Sequence, residues 1–300
     1  MKESTKELSL ELAIQFVYQR LMDYTMMTKM RLTSSVVLSS IIGYLFAGGS
    51  FSFQIVWFII AGFLVTASAN SINQILEKDL DRLMNRTKNR PLPTGRLSVP
   101  ESTLFAGLTG VAGLTLLYVL FSPLAGMLGA LSLFSYAFIY TPLKRLTPFA
   151  VFVGAIPGAL PPLIGWAAVS GELTIVAWTL FFIQFVWQMP HFWAIAWVAD
   201  EDYKKAGFNL LPTTEGKGIS TAIMILIYNV FLLLISILPI ILFNLNLFFI
   251  IPIVICNIFF VKQAIDLYKK PEDALAKKLM FGSFGYLPVV MLLLYFSSIL

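Results

Sequence analysis

Three oxygen-bearing side chains lie at regular spacing where one apolar stretch ends. Asn73, Glu77 and Asp81 are four residues apart, so on a helix they share one face. Carboxylate and amide oxygens suit hard divalent cations, and Mg²⁺ is commonly bound through one or two carboxylates together with substrate phosphates. Asp79 points away from this face and ranks below Glu77 and Asp81. The spacing therefore predicts a magnesium site.

A basic loop directly follows the acidic face. It contains Arg86, Lys88 and Arg90, and guanidinium groups bind phosphate oxygens in a bidentate manner. Acids beside such a loop predict a magnesium diphosphate site, with the acids on the metal and the bases on the phosphates. The alternative is an ordinary charged loop whose charges neutralise each other. Asn73 and Gln74, which lie inside the apolar stretch, favour the binding site.

A second polar cluster closes a later apolar run. Gln184, Gln188 and His191 fall within one helical face if Pro190 only kinks the helix. His191 is the only histidine in the chain. It could ligate a haem iron, act as an acid or base, or hydrogen-bond a substrate carboxylate, and a structural role is also open.

Two further charged segments follow apolar runs. Tyr140, Lys144 and Arg145 put a phenol and two cations where they could reach a phosphate, or they are an interfacial aromatic with snorkelling bases. The acids of residues 200–202 either join the metal site or cap a solvated loop.

One apolar run, residues 154–165, is rich in glycine and proline. This composition predicts a broken helix. Broken helices at membrane depth are tolerated where they line a site enclosed by protein, so we expect this run to border a cavity.

The elements that must position these groups are membrane helices. The 300 residues are 58% hydrophobic and 12% charged, whereas soluble domains are about a quarter charged. Apolar runs of about twenty residues recur, long enough to cross a bilayer of roughly 30 Å, without the period-two alternation of a membrane barrel. The sequence predicts an all-α integral membrane protein with about nine transmembrane helices around a central cavity that opens toward the cytoplasmic face. The predicted helices are residues 33–48, 53–76, 101–121, 124–140, 147–170, 173–198, 219–243, 246–264 and 279–299.

The basic residues predict an orientation. All 21 Lys and Arg residues fall in alternate segments, which are cytoplasmic if the amino terminus is inside and the carboxyl terminus outside. The net charge of +5 then faces anionic lipid, and no nucleic-acid partner is needed. We expect the inner membrane of a prokaryotic cell. The lone Cys256 predicts no disulfide framework.

Two parts of different character are predicted. Residues 1–31 form an amphipathic cytoplasmic segment, in which polar residues recur every fourth position from Glu7 to Asp23 as in a helix lying in the interface. Residues 32–300 form the polytopic domain.

The first motif resembles that of the UbiA superfamily of intramembrane prenyltransferases, and the resemblance covers nearly everything after Leu32. The superfamily pattern is N-D-x-x-D-x-x-x-D followed by R-T-x-x-R-P-L, and the second part reads R-T-K-N-R-P-L over residues 86–92. Its four polar positions correspond here to Asn73, Gln74, Glu77 and Asp81. Gln74 and Glu77 replace aspartates, and Glu77 keeps the charge.

Other segments are similar to the protoheme IX farnesyltransferases, or haem O synthases, within this superfamily. They are residues 140–147, 158–166, 187–193 and 202–212. Quinone-type members carry an aspartate-rich second motif in this part of the chain, whereas His191 stands near its first aspartate here. The Pro-His-Phe-Trp segment thus indicates haem.

This resemblance implies transfer of a farnesyl group from farnesyl diphosphate to a vinyl group of haem B, giving haem O and diphosphate. Mg²⁺ is the implied cofactor, and haem B is a substrate. The implied metal ligands are Glu77, Asp81 and Asn73, with Asp79 and Asp202 as further candidates. The implied diphosphate-binding residues are Arg86, Arg90, Lys144 and Arg145, and the implied catalytic residues are Asp81, Glu77, Asn73, Tyr140 and Lys144. The implied haem contacts are His191, Trp187 and Trp193.

Two other functions stay open on the sequence. One is a UbiA-type prenyltransferase acting on a quinone precursor. The other is a membrane transporter or haem-handling protein, in which broken helices would serve passage, although the polar groups cluster on one side. Expected partners are membrane lipid and a downstream haem A synthase or terminal oxidase.

Overall fold

The computed structural model describes the backbone of residues 2–300 and the side chains of residues 11–300; Met1 and the side chain of Glu7 lie outside the described residues. The helices are α1 Lys2–Thr28, α2 Met30–Phe46, α3 Phe53–Leu76, α4 Lys78–Asp81, α5 Val99–Leu120, α6 Pro123–Phe134, α7 Thr141–Leu143, α8 Ala150–Ser170, α9 Ile175–Val198, α10 Asp200–Lys205, α11 Ile219–Leu242, α12 Ile250–Lys269 and α13 Asp273–Ile299. A π-helical segment, Ser135–Tyr140, joins α6 to α7, and a 3-10 turn, Leu247–Phe249, precedes α12.

Within residues 2–300, eight helical stretches are long and apolar enough to cross a membrane. They are Phe53–Leu76, Val99–Leu120, Pro123–Leu143, Ala150–Ser170, Ile175–Val198, Ile219–Leu242, Leu247–Lys269 and Asp273–Ile299. The first predicted span falls on α2, which is apolar but has only 17 residues, or about 26 Å at 1.5 Å per residue. The all-helical membrane fold is therefore confirmed, and the ninth crossing stays a prediction.

Local signals in the sequence set where several helices begin. Ser98, Ser122 and Thr174 each precede a helix, and the side-chain oxygen of each accepts a backbone N–H three residues further on. Such caps satisfy donors that the first turn of a helix leaves without a partner. Helices α5, α6 and α9 therefore begin directly after these residues.

Helix α8 lies at the centre of the bundle, packed against α2, α6 and α9. In its most apolar stretch 72% of the residues are buried, the largest share among the candidate spans. Contact with α2 depends on two glycines, because a Cβ at Gly43 would overlap the backbone of Pro162 and a Cβ at Gly165 would overlap that of Ser40. Small residues allow helix backbones in a membrane to approach closely.

The prediction that α8 is a broken helix was wrong. It continues through Pro157, Pro161 and Pro162, although a proline supplies no N–H to the carbonyl four residues earlier. Neighbouring helices supply the missing donors. Ser132 on α6 donates to the carbonyl of Pro157 at 3.2 Å, and Gln184 on α9 donates to the carbonyl of Gly158 at 2.7 Å. The carbonyls freed by Pro161 and Pro162 are thus satisfied by packing, without unwinding.

Candidate active site at the end of α3

The three predicted oxygen donors lie together where α3 passes into α4. Asn73, Glu77 and Asp81 are 2%, 5% and 0% exposed. The Asp81 backbone N–H donates to the Glu77 carbonyl at 2.7 Å, so the chain continues almost helically through the junction. The structure therefore buries all three side chains at one place, and each contacts a cation.

Asp81 is paired with Arg90. The Nη1 atom of Arg90 lies 2.9 Å and 2.7 Å from the two carboxylate oxygens of Asp81. The loop between them is closed by Thr87, whose hydroxyl donates to the Asp81 carbonyl at 2.9 Å. A buried carboxylate needs such a partner, because an uncompensated charge is costly in the interior. The acid and the base predicted for metal and phosphate therefore form one ion pair here.

Glu77 is paired with Lys144, which follows α7. The Lys144 ammonium also lies 5.0 Å from the ring centre of Tyr140 and 5.2 Å from that of Phe208, within cation–π range. Burial lowers the pKa of Lys144, and Glu77 opposes this effect. The two aromatic faces and one carboxylate hold this cation in place.

Asn73 links two parts of the chain that are distant in sequence. Its Oδ1 accepts from the ammonium of Lys29 at 3.0 Å, and its Nδ2 donates to the hydroxyl of Thr141 at 3.1 Å. The hydroxyl of Thr141 in turn donates to the Tyr136 carbonyl at 2.9 Å. Tyr136 and Tyr140 belong to the π-helical segment, a distortion that is frequent at functional sites.

Arg86 joins the first motif to the loop after α9. Its backbone N–H donates to Asp202 at 3.0 Å, and its guanidinium lies 5.7 Å from the ring centre of Tyr203. The hydrogen bond from Arg86 lowers the pKa of Asp202, and Lys205 adds to this effect. Burial raises the pKa of Tyr203. The two predicted motifs, more than a hundred residues apart, therefore meet at one edge of the site.

Two predicted residues lie at the margin. Asp79 is 77% exposed at its side chain and pairs with Arg82. Arg145 is exposed and borders a cavity of about 510 Å³ whose lining includes Glu77. The other lining residues are Leu76, Leu80, Thr141, Pro142 and Leu146. This cavity provides apolar walls beside the Glu77 carboxylate.

Helix α9 continues through Pro190, and His191 contacts a different helix from Gln184 and Gln188. Gln188 donates to the Ala155 carbonyl of α8 at 2.9 Å, whereas the Nδ1 of His191 is 2.6 Å from the hydroxyl of Ser283 on α13. Trp187 stacks on His191 with ring centres 4.4 Å apart and donates its indole N–H to the Ser283 carbonyl at 3.0 Å.

The hydrogen bonds of Ser283 favour one tautomer of His191. The Met280 carbonyl, 2.6 Å from the Ser283 hydroxyl, can only accept its proton, and Ser283 then accepts from Nδ1–H of the imidazole. The lone pair of the ring is then on Nε2, and no described residue hydrogen-bonds that atom. Trp193 points elsewhere: it is fully buried and packs against Phe152 and Tyr228.

Sequence reasoning missed Lys29, Thr141, Tyr203 and Phe208 as members of the site. In the sequence, Lys29 is one of the basic residues that indicate orientation, and it belongs to no motif. Tyr203 and Phe208 both lie within residues 202–212. The sequence does not show that their rings contact Arg86 and Lys144, and only the structure reveals these contacts.

Residues 36–285 match the model of the UbiA prenyltransferase family. The chain belongs to this family. Among its relatives, the protoheme IX farnesyltransferase of Cytophaga hutchinsonii is 47% identical over 269 residues, covering 89% of this chain and 94% of that protein. The protoheme IX farnesyltransferase of Christiangramia forsetii is 46% identical, covering 90% of this chain and 91% of that protein.

Solved structures of UbiA prenyltransferases share the fold. A digeranylgeranylglyceryl phosphate synthase matches with a TM-score of 0.77 at 22% identity, over 94% of this chain and 99% of that chain. A UbiA homolog from Archaeoglobus fulgidus, bound to GPP and Mg²⁺, matches with a TM-score of 0.63 at 16% identity, over 90% of this chain and 99% of that chain. These structures confirm the predicted fold, and the family model and the relatives confirm the prenyltransferase class predicted from the first motif.

Proposed function

We propose that this chain transfers the farnesyl group of farnesyl diphosphate to a vinyl group of haem B, giving haem O and diphosphate. Its relatives at 46–47% identity are protoheme IX farnesyltransferases. The observation that carries the proposal is the buried cluster in which Asp81 pairs with Arg90 and Glu77 with Lys144. Such a cluster supplies both metal-binding acids and phosphate-binding cations.

Glu77 and Asp81, assisted by Asn73, are the residues that would hold Mg²⁺. Among the described residues no group of three or more His, Cys, Asp and Glu side chains could hold a metal ion. Two buried carboxylates nevertheless fit Mg²⁺, which is usually bound by one or two carboxylates, substrate phosphates and water. The ion would neutralise charge on the diphosphate. Relatives support this choice, since a UbiA homolog binds Mg²⁺ with GPP.

The cations of the cluster would stabilise the departing diphosphate. When the allylic C–O bond breaks, its electron pair stays on the diphosphate oxygen, and preorganised positive charge lowers the barrier. Arg90 and Lys144 are held beside the acids, and Arg86 is held by Tyr203 and Asp202. We assign these three residues to the diphosphate, with Arg145 at the cavity margin.

The vinyl group of haem B then attacks the allylic carbon, and a new carbon–carbon bond forms. Water adds to the resulting cation and loses one proton, which leaves the hydroxyethylfarnesyl side chain of haem O. Tyr140, beside the Lys144 ammonium, is placed to steer the diphosphate or the allylic cation. The cavity of about 510 Å³ beside Glu77 has apolar walls suited to a prenyl chain.

His191 is the proposed haem contact. Its Nδ1–H is held by Ser283 and its ring by Trp187, which leaves the Nε2 lone pair for the haem iron of the substrate. A fixed second ring nitrogen is usual for histidines that ligate metals. Trp187 belongs to this contact, whereas Trp193 contributes through packing on the opposite side of α9.

We further propose the placement of the protein in the cell. The chain is an integral membrane protein, and its similarity to bacterial proteins favours the inner membrane of a prokaryotic cell. The positions of its basic residues favour an amino terminus in the cytoplasm and a carboxyl terminus outside. The product haem O would pass to a haem A synthase or a terminal oxidase. The substrate-binding cluster then faces the cytoplasm.

An acceptor comparison tests the proposed reaction. Purified protein in detergent is incubated with Mg²⁺, labelled farnesyl diphosphate and either haem B or an aromatic acid precursor of a quinone. We expect label in the haem fraction only. Label in the aromatic acid would replace haem by a quinone precursor, and release of no diphosphate with either acceptor would contradict the prenyltransferase assignment of the site.

A further inference from the structure

Lys29 stands at a sharp joint between α1 and α2. Its backbone has φ 50° and ψ 57°, the left-handed region that non-glycine residues rarely adopt. A strained residue persists only when its surroundings hold it in place. The conformation of Lys29 therefore calls for an explanation in the packing around it.

Polar side chains of α3 hold this joint. Asn70 donates to the Thr28 carbonyl at 3.3 Å, and Gln74 donates to the Met27 carbonyl at 2.8 Å. Both side chains are at most 1% exposed. Gln74, which occupies an aspartate position of the family motif, thus faces α1 and not the metal site. Its amide fixes the end of α1.

The joint directs the Lys29 ammonium into the charged cluster. Its Nζ is 3.0 Å from Asn73, and the surrounding charges are Arg90, Lys144, Glu77 and Asp81. Three cations therefore share two carboxylates, and the cluster has an excess of positive charge that an anion would relieve.

We propose that Lys29 binds the diphosphate of the prenyl substrate beside Arg86, Arg90 and Lys144, as a further cation that the joint contributes from outside the motifs of the sequence. This inference rests on the proposed function. Lys29 is 44 residues before Asn73 in the chain. The two residues meet because Asn70 and Gln74 hold the end of α1 against α3. A flexible surface lysine would not need this strained backbone.

Replacement of the ammonium tests the inference. Lys29→Met keeps an unbranched apolar side chain, one atom shorter, and removes the charge. Lys29→Gly relieves the left-handed backbone while also removing the charge. We expect both variants to bind inorganic diphosphate and farnesyl diphosphate about 10- to 100-fold more weakly, the range for losing one charge-assisted hydrogen bond. Lys29→Arg should retain part of the affinity. The KM for haem B should not change.

Arg31→Met is the matched control, because Arg31 is an exposed cation at the same joint. It should leave diphosphate binding unchanged. Binding is measured by calorimetry without an acceptor, so it is independent of haem chemistry. If Lys29→Gly binds diphosphate as tightly as the wild-type protein, the role of Lys29 is overturned and the proposed function still stands. Failure of the wild-type protein to bind either diphosphate would overturn the proposed function as well.

Discussion

At the scale of single residues, Asp81 and Asp79 form a matched pair. Asp81 is fully buried against Arg90, whereas the side chain of Asp79 is 77% exposed and pairs only with Arg82. We expect Asp81→Asn to lower the rate of haem O formation by at least about 100-fold, because it removes a charge on which substrate binding and leaving-group stabilisation both depend. Asp79→Asn should stay within about threefold of wild type.

Thermal unfolding of both variants separates lost chemistry from lost structure. Asp81→Asn leaves Arg90 without its carboxylate, so some destabilisation is expected. Turnover near the wild-type rate in a folded Asp81→Asn protein would remove Asp81 from the site. Equal losses in Asp79→Asn and Asp81→Asn would show that general charge at this loop matters, and not the buried pair.

Absorption spectroscopy tests the proposed contact between His191 and the haem iron. If Nε2 ligates the substrate iron, haem B bound to the wild-type protein should show the absorption spectrum of a histidine-ligated haem. His191→Gly should lose that spectrum, and free imidazole should restore it by occupying the vacated space. A spectrum unchanged by His191→Gly would assign another contact to haem.

The acids and bases of the site could be predicted from the sequence, but their partners could not. The i, i+4 spacing of Asn73, Glu77 and Asp81 is a property of one helix. The pairings with Lys29 and Lys144 join positions 44 and 67 residues apart, and they depend on a left-handed joint and a π-helical segment. No local pattern encodes those two distortions, so Lys29 was not recognised.

At the scale of elements, the contact between α2 and α8 makes a second matched pair. A Cβ at Gly43 would overlap the backbone of Pro162, whereas a Cβ at Gly107 in α5 meets open space. We expect Gly43→Ala to lower the thermal midpoint clearly, because the two helices must separate. Gly107→Ala should leave the midpoint unchanged or raise it, since alanine favours a helix by about 1 kcal/mol.

The measurement is thermal unfolding in detergent, with haem O formation as a second readout. Since Ser39 on α2 and Gln184 on α9 share a hydrogen bond, separation of α2 from α8 should also disturb α9 and reduce activity. A Gly43→Ala protein as stable and active as wild type would contradict the close approach of these helices.

Helix α8 shows where element prediction failed. Its glycines and prolines predicted a break, because the sequence alone does not reveal which side chains will donate hydrogen bonds to the carbonyls that the prolines leave free. The donors Ser132 and Gln184 come from two other helices. Gln184 was noted as a candidate site residue, and in the structure it satisfies a carbonyl of α8 while contacting Ser39.

At the scale of the whole molecule, composition and continuous apolar runs were sufficient for the membrane class. Within residues 2–300, eight of the nine predicted spans coincide with helical stretches long and apolar enough to cross a membrane. The packing order of those helices, with α8 enclosed between α2, α6 and α9, could not be derived, because every lipid-compatible helix has a similar composition. Proline and glycine positions became informative only with neighbours in place.

Haem O synthesis with dependence on Mg²⁺ is tested most directly by mass spectrometry of haems. Purified protein is incubated with haem B, farnesyl diphosphate and Mg²⁺, beside an EDTA control and the Asp81→Asn variant. We predict the mass of haem O with Mg²⁺ in the wild-type protein, and unchanged haem B in both controls. Unchanged haem B in a folded wild-type protein that has Mg²⁺ would contradict haem as the substrate, and equal conversion in EDTA would contradict the metal assignment.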